Sequence, residues 1–250
     1  MKKVFILLLL SFPAFCQFQK SGKIYFKETM KLDIQLDEKN KEMAKMFPTS
    51  KDSYKVLLYN ETESLFLNEE KKDEDLDVKK EEGEVQMRVV FKMPQSTTYL
   101  NLKNNEFVQS LELLGKEFLI VDKLNDGSSN KWKITGEQKK VLDFVCQKAI
   151  LLDTTQKLEV WFTPQIPIAM GPNGSSGLPG MILAAEIDNG KRLLAATSIE
   201  AIPENYVFVK PVKGKKVNKE EFKKIREEKL KEMGGNSKGG TRIIIRNEEH

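Results

Sequence analysis

Few residues in this chain could do covalent chemistry. Cys146 stands in "DFVCQKA" with Lys148 two residues on. At a period of two, Phe144, Cys146 and Lys148 share one face of a strand. If both were exposed, the lysine would lower the thiol pKa and favour a reactive thiolate. Ser175 and Ser176 lie between glycines in "GPNGSSGLPG", surroundings that hydrolase serines also have, but such a nucleophile needs a base. The single histidine is His250, so only a lysine could serve. Soft metals want clusters of histidine and cysteine, and this composition lacks them. No catalytic residue, metal site or cofactor is predicted, and Cys146 is the one nucleophile with a case.

The glycine-rich stretch itself is not a phosphate cradle. A P-loop wants a lysine and a hydroxyl residue after its glycines, whereas Leu178-Pro179-Gly180-Met181 follow here. Four Gly-x-y triplets are also too few for a collagen triple helix. Pro164, Pro167, Pro172 and Pro179 fix φ, and the glycines supply positive φ or allow close approach. The stretch therefore reads as a stiff crossover between strands, with Ile166, Ile168, Met170 and Leu178 able to plug a core. Either it closes one end of the fold, or it lines a pocket or docks a partner with Trp161 and Leu178 exposed. Trp132 and Trp161 carry the same two readings, core or ligand platform. The binding candidates are thus Trp132, Cys146, Lys148, Trp161, Gly171, Pro172, Gly177, Leu178, Pro179 and Gly180.

The elements that must position these residues are strands. In "IYFKETMKLDIQL" every even position from Ile24 to Leu36 is apolar except Glu28, which predicts a long strand with one buried face. The same period returns in Val85–Met93 and Leu158–Phe162. "YKVLLYNETESLFL" folds back near Asn60, and "AAEIDNGKRLLAATSIE" turns at Asp188-Asn189-Gly190. The fold class expected is mainly β: a long curved antiparallel sheet or partial barrel, a Pro/Gly-rich covering loop and a C-terminal surface helix. The methionines Met30, Met87 and Met93 are expected to face inward. Residues 68–84 are almost all charge and read as a mobile loop. Asn218, with Glu221 three residues on, caps a helix within 217–235, and residues 236–250 form a tail or an edge strand around "TRIIIR".

Residues 1–16 have the form of a signal peptide, with Lys2 and Lys3 before a short apolar run. Residues 17–216 then form one β-rich domain. Export to the periplasm or beyond is expected; acylation at Cys16 is the alternative. The run is too short to span a bilayer. Lys2 and Lys3 account for two of the formal net charge of +4, so about +2 remains after cleavage, which favours neither nucleic acid nor anionic membrane.

"SGLPGMILAAE" resembles the signature of the GLPGLI family, exported bacterial proteins named for that hexapeptide. It stands here as Gly177-Leu178-Pro179-Gly180-Met181-Ile182. "KWKITGEQKKVLDFVCQKAI" and "EVWFTPQIPIAMGPNG" are similar to further blocks of that family, with Leu142-Asp143-Phe144 where it has isoleucine-glycine-tyrosine. The resemblance covers Lys131 to Ile187 and implies compartment without activity. The function expected is a non-enzymatic binding or accessory protein for an apolar small molecule, a peptide or an outer-membrane partner. The alternative is a thiol-dependent enzyme or peptidase using Cys146.

Overall fold

The computed structural model describes residues 20–32, 48–69, 76–82, 85–91, 95–124, 131–152, 157–232 and 244–247. The leader read in residues 1–16, with Cys16, and the positions Met93 and Met233 lie outside them. The chain begins with β1 (Gly22–Lys31), β2 (Ser50–Tyr59) and β3 (Glu63–Asn68), then β4 (Leu76–Glu82) and β5 (Val85–Phe91). β6 (Ser96–Asn101), β7 (Glu106–Leu113) and β8 (Lys116–Lys123) follow, then β9 (Trp132–Val141), β10 (Phe144–Leu151) and β11 (Leu158–Thr163). β12 (Met181–Ile187), β13 (Arg192–Glu200) and β14 (Lys215–Val217) precede the helix α1 (Lys219–Glu232) and β15 (Ile244–Asn247).

Twelve strands form one open sheet in the order β14-β8-β7-β6-β3-β2-β1-β13-β12-β11-β10-β9. Two antiparallel meanders meet at β1, which pairs with β2 on one side and β13 on the other. Only β14 runs parallel to its neighbour, β8. Turns are set locally. Asn60 Oδ1 accepts from the backbone of Thr62 and Glu63 at 2.8 and 2.7 Å. Asp188, Asn189 and Gly190 all have positive φ at the β12–β13 turn. The β9–β10 turn is made without glycine, Leu142 taking φ +53°.

The sheet curls. Phe107 of β7 and Trp132 of β9 meet one loop at Gly174 and Ser176, two residues apart, yet a flat sheet would set those strands nine spacings, about 43 Å, apart. The inner face carries Ile24 and Phe26 of β1, Leu57 and Tyr59 of β2, Phe66, Leu100 and Phe107. What fills the concavity is the Pro/Gly-rich loop. Ile166, Ile168, Met170 and Leu178 are all buried in this cluster. Leu178 is 2% exposed, so the pocket-lining version of this loop, with an exposed Leu178, is corrected: the side chain is spent on the core.

Backbone bonds hold the loop against β12, from Met181 N to Ile166 O (2.9 Å) and Ile182 N to Met170 O (3.0 Å). Its short 3-10 turn, Pro172–Gly174, reaches the other half of the sheet. There Gly174 (φ +74°) lies so near Phe107 that a Cβ would sit 2.6 Å from the ring.

A smaller cluster covers the outer face: Val56, Leu58, Leu65, Tyr99 and Val108, with Ile202 and Phe208 from the strap between β13 and β14 packed against it. On α1, the Asn218 side chain and Glu221 cap each other's backbone at 2.8 and 2.9 Å, as a capping box requires. Phe222 packs edge-on against Phe118, ring centroids 5.4 Å apart.

β4, β5 and β15 form a separate antiparallel sheet. Leu76–Glu82 is therefore a paired strand rather than the mobile loop its charge suggested, because cross-strand bonding supplies what apolar burial could not. Met87 lies in β5, a strand of the second sheet, and Met30 is only half-buried near the end of β1. The inner face is lined by phenylalanine, leucine and isoleucine, with Met170 and Met181 among them in place of the half-buried Met30.

Gly180→Ala would place a Cβ 2.1 Å from the Thr163 carbonyl oxygen, at φ +158°. We expect it to cost about 2 kcal/mol or more, roughly 4–8 °C in Tm. Gly136→Ala, whose Cβ meets nothing within 4 Å, should leave the melting curve in place. Equal behaviour of the two would refute the loop as a core plug.

Candidate functional site

On β1 the inward positions run Ile24, Phe26, Glu28. Glu28 is 3% exposed, and a buried carboxylate must be paired. Its Oε1 accepts from Arg192 Nε at 2.9 Å and also from the second guanidinium nitrogen. Its Oε2 takes the Ser53 hydroxyl at 3.2 Å and faces Lys55 Nζ at 3.9 Å. Lys55 Nζ also donates to Asn68 Oδ1 at 2.8 Å. Strand pairing assembles the set: Glu28 opposes Ser53 on β2 and Leu194 on β13, and Lys55 opposes Asn68 on β3. With Arg192 and Ser53 bonded to its two oxygens and Lys55 beside them, Glu28 is a held strut.

Asn68 carries the network to a groove of about 220 Å³ at the end of the sheet where β3 and β7 finish and β6 and β8 begin. Leu67 and Leu111 give it apolar walls. Asn68 and Gln95 bring amides; Ser96, Thr97 and Ser110 bring hydroxyls. Glu112 and Glu117 bring carboxylates and stand directly opposite each other across the β7–β8 hairpin. Neither the buried cluster nor the groove was among the residues expected from sequence. The one signal was Glu28, the single break in an apolar alternation.

The expected residues do not converge. The indole Nε1 of Trp132 donates to Ser176 O at 2.8 Å, tying the Pro/Gly loop to β9. Gly171 and Gly180 approach Ile182 and the Thr163 backbone closely. Pro172 and Leu178 are buried; Gly177 and Pro179 complete the turn. Trp161 lies on the other face of β11, with Lys139 Nζ over its ring at 4.2 Å and Lys148 Nζ at 5.9 Å. Lys148 pairs with Glu159 at 2.8 Å and Glu137 at 3.3 Å. Those bonds, to Glu159 first, raise its pKa. Burial lowers that of Lys139.

Cys146 is fully buried, its Sγ 3.7 Å from Phe144 O. Desolvation pushes its thiol up to about 11. The thiol-enzyme alternative is therefore corrected: Lys148 turns to its carboxylates and Cys146 is a core residue kept protonated. Among the described residues no group of three or more His, Cys, Asp or Glu side chains could hold a metal ion. No helix there is long and apolar enough to cross a membrane.

The family model described as "N-glycanase peptide, N-terminal domain" matches residues 52–224. The chain belongs to this family. Two solved structures of PNGF-II, in the C2 and P21 space groups, are similar to it at 19% identity over 82% of this chain. The TM-scores are 0.50 and 0.49. At that identity the first shows the fold alone. The chain spans about a third of the length of those structures, 32% and 33%. No curated protein matches it.

Membership in the N-glycanase N-terminal family overturns the GLPGLI resemblance, which rested on the hexapeptide and its flanking blocks, Lys131 to Ile187, and not on the whole β-domain. It also overturns the expectation of a non-enzymatic binding or accessory protein for an apolar ligand or outer-membrane partner. The inner face agrees, since the loop fills it with its own side chains. Within the motif, Gly180 answers a local steric need, since a Cβ there would sit 2.1 Å from the Thr163 carbonyl oxygen.

Glu28→Ala would remove the buried carboxylate on which Arg192, Ser53 and Lys55 converge, and we expect a loss of about 3–5 kcal/mol in denaturant unfolding. A loss under 1 kcal/mol would show the cluster to be dispensable. Cys146 should resist iodoacetamide in native buffer and react fully in denaturant. Its raised pKa also stabilises the fold below the ordinary thiol value of 9.0, and that contribution is lost as pH climbs from there to about 11. Cys146→Ala should therefore show a flatter decline over that window in thermal melts.

Proposed function

We propose that this chain works in N-glycan processing, as the N-terminal domain unit of an N-glycanase. The observation that carries this reading is the family match over residues 52–224, which runs from within β2 through β14 and into the first turns of α1. The site chemistry is compatible with it. The exposed polar lining at the sheet end consists of amides, hydroxyls and carboxylates, the donor and acceptor set that sugar hydroxyls engage. The buried cluster supplies rigidity there, since Lys55 fixes the Asn68 amide and Glu28 fixes Lys55. Export, expected from the leader, is retained as part of the proposal.

An N-glycosylated protein and the same protein stripped of its glycans separate this reading from its failure. Incubated with the full chain, the glycosylated form should be retained or release free glycan, followed by co-sedimentation and mass spectrometry. The stripped form should do neither. Identical behaviour of the two forms would overturn a role in N-glycan processing.

A further inference from the structure

The groove discriminates among ligand chemistries. Nine residues line it, and seven carry polar side chains, so an apolar ligand would bury amides and carboxylates unpaired at high cost. None of the nine is a lysine or arginine, while Glu112 and Glu117 both face in; an anionic ligand would meet two like charges. A metal ion lacks a third acidic ligand among the described residues. A neutral, hydroxyl-rich molecule remains.

Two further features favour it. Glu112 sits directly across from Glu117 in the hairpin register, an arrangement that destabilises a sheet when both are charged. Hydroxyl donors from a ligand would offset that repulsion, and hydrogen bonds to charged acceptors are the stronger kind. The apolar walls, Leu67 and Leu111, suit the C–H face of a sugar ring. Size limits the occupant as well. About 220 Å³ is below the roughly 300–1,000 Å³ of sites for drug-sized ligands. One sugar unit fits, with the remainder of a chain outside the mouth.

We propose that this groove is a subsite for a single neutral sugar unit of an N-linked glycan, with Glu112 and Glu117 accepting hydrogen bonds from its hydroxyls. Asn68, its carbonyl oxygen held by Lys55 at 2.8 Å, is a preorganised wall. This deepens the N-glycan reading above and rests on it for the source of the sugar.

Isothermal titration of the full chain with a neutral high-mannose oligosaccharide, and separately with a sialylated N-glycan, tests the subsite. The neutral sugar should bind saturably and the sialylated one more weakly when its acidic terminus is the only end offered. Glu112→Gln combined with Glu117→Gln should weaken neutral-sugar binding at least about tenfold. Both side chains are exposed, so the double variant should melt no lower than the parent. Ser110→Arg, which fills the groove from another wall, should abolish binding as well. No binding by the parent, or binding unchanged in both variants, overturns the subsite. If the variants still distinguish glycosylated from stripped protein, the N-glycan reading stands and the groove falls. If the parent binds the oligosaccharide but treats both protein forms alike, the groove stands and the wider reading falls.

Discussion

A twelve-stranded sheet has an inner face that something must cover, and here the chain covers it with itself. The loop between β11 and β12 crosses the concavity, buries Ile166, Ile168, Met170 and Leu178, and sets Gly174 against Phe107 on the far half. One continuous core then joins strands from both ends of the sheet. The curl follows from that contact, because side chains cannot pack together across the width of a flat sheet. Glycine at Gly174 and Gly180 is a steric requirement of the crossing, where a Cβ would strike a ring or a carbonyl. The outer face needs less, and the strap carrying Ile202 and Phe208 covers part of it.

At the edge of this apolar interior, buried Glu28, Lys55, Ser53 and Asn68 and half-buried Arg192 form a polar cluster. Such clusters rarely add stability over hydrophobic packing of the same volume. Their value is geometric: each member has one arrangement that satisfies its partners. Here the arrangement ends at Asn68, on the wall of the groove, so the rigidity of the core is carried to an exposed surface. The polar network of Tyr99, Glu63 and Asn101 differs in kind. It pins adjacent strands on the outer side, and burial pushes the Tyr99 hydroxyl up to about 12.

Much of the fold was legible because it depends on local periodicity. The alternation in β1, the hairpins at Asn60 and at Asp188–Gly190, and the Asn218–Glu221 cap each rest on residues near one another in sequence. The charged stretch around β4 was illegible for the opposite reason. Its strand exists through pairing with β5, and pairing energy leaves no trace in composition. The candidate site was nearly invisible, since Glu28 and Arg192 are 164 residues apart. Only the broken alternation at Glu28 pointed there, with nothing to say what met it.

By itself, the sequence determined where strands alternate and where the backbone must turn, because side-chain type and period act over a few residues. Tertiary structure decided which of those residues meet. It buried Cys146 and Leu178, turned Lys148 away to Glu159 and Glu137, and brought three strands together around one carboxylate. The physical reason is that burial and ion pairing depend on register between strands and on the curl of the whole sheet. Both are set by long-range packing of the loop against the inner face.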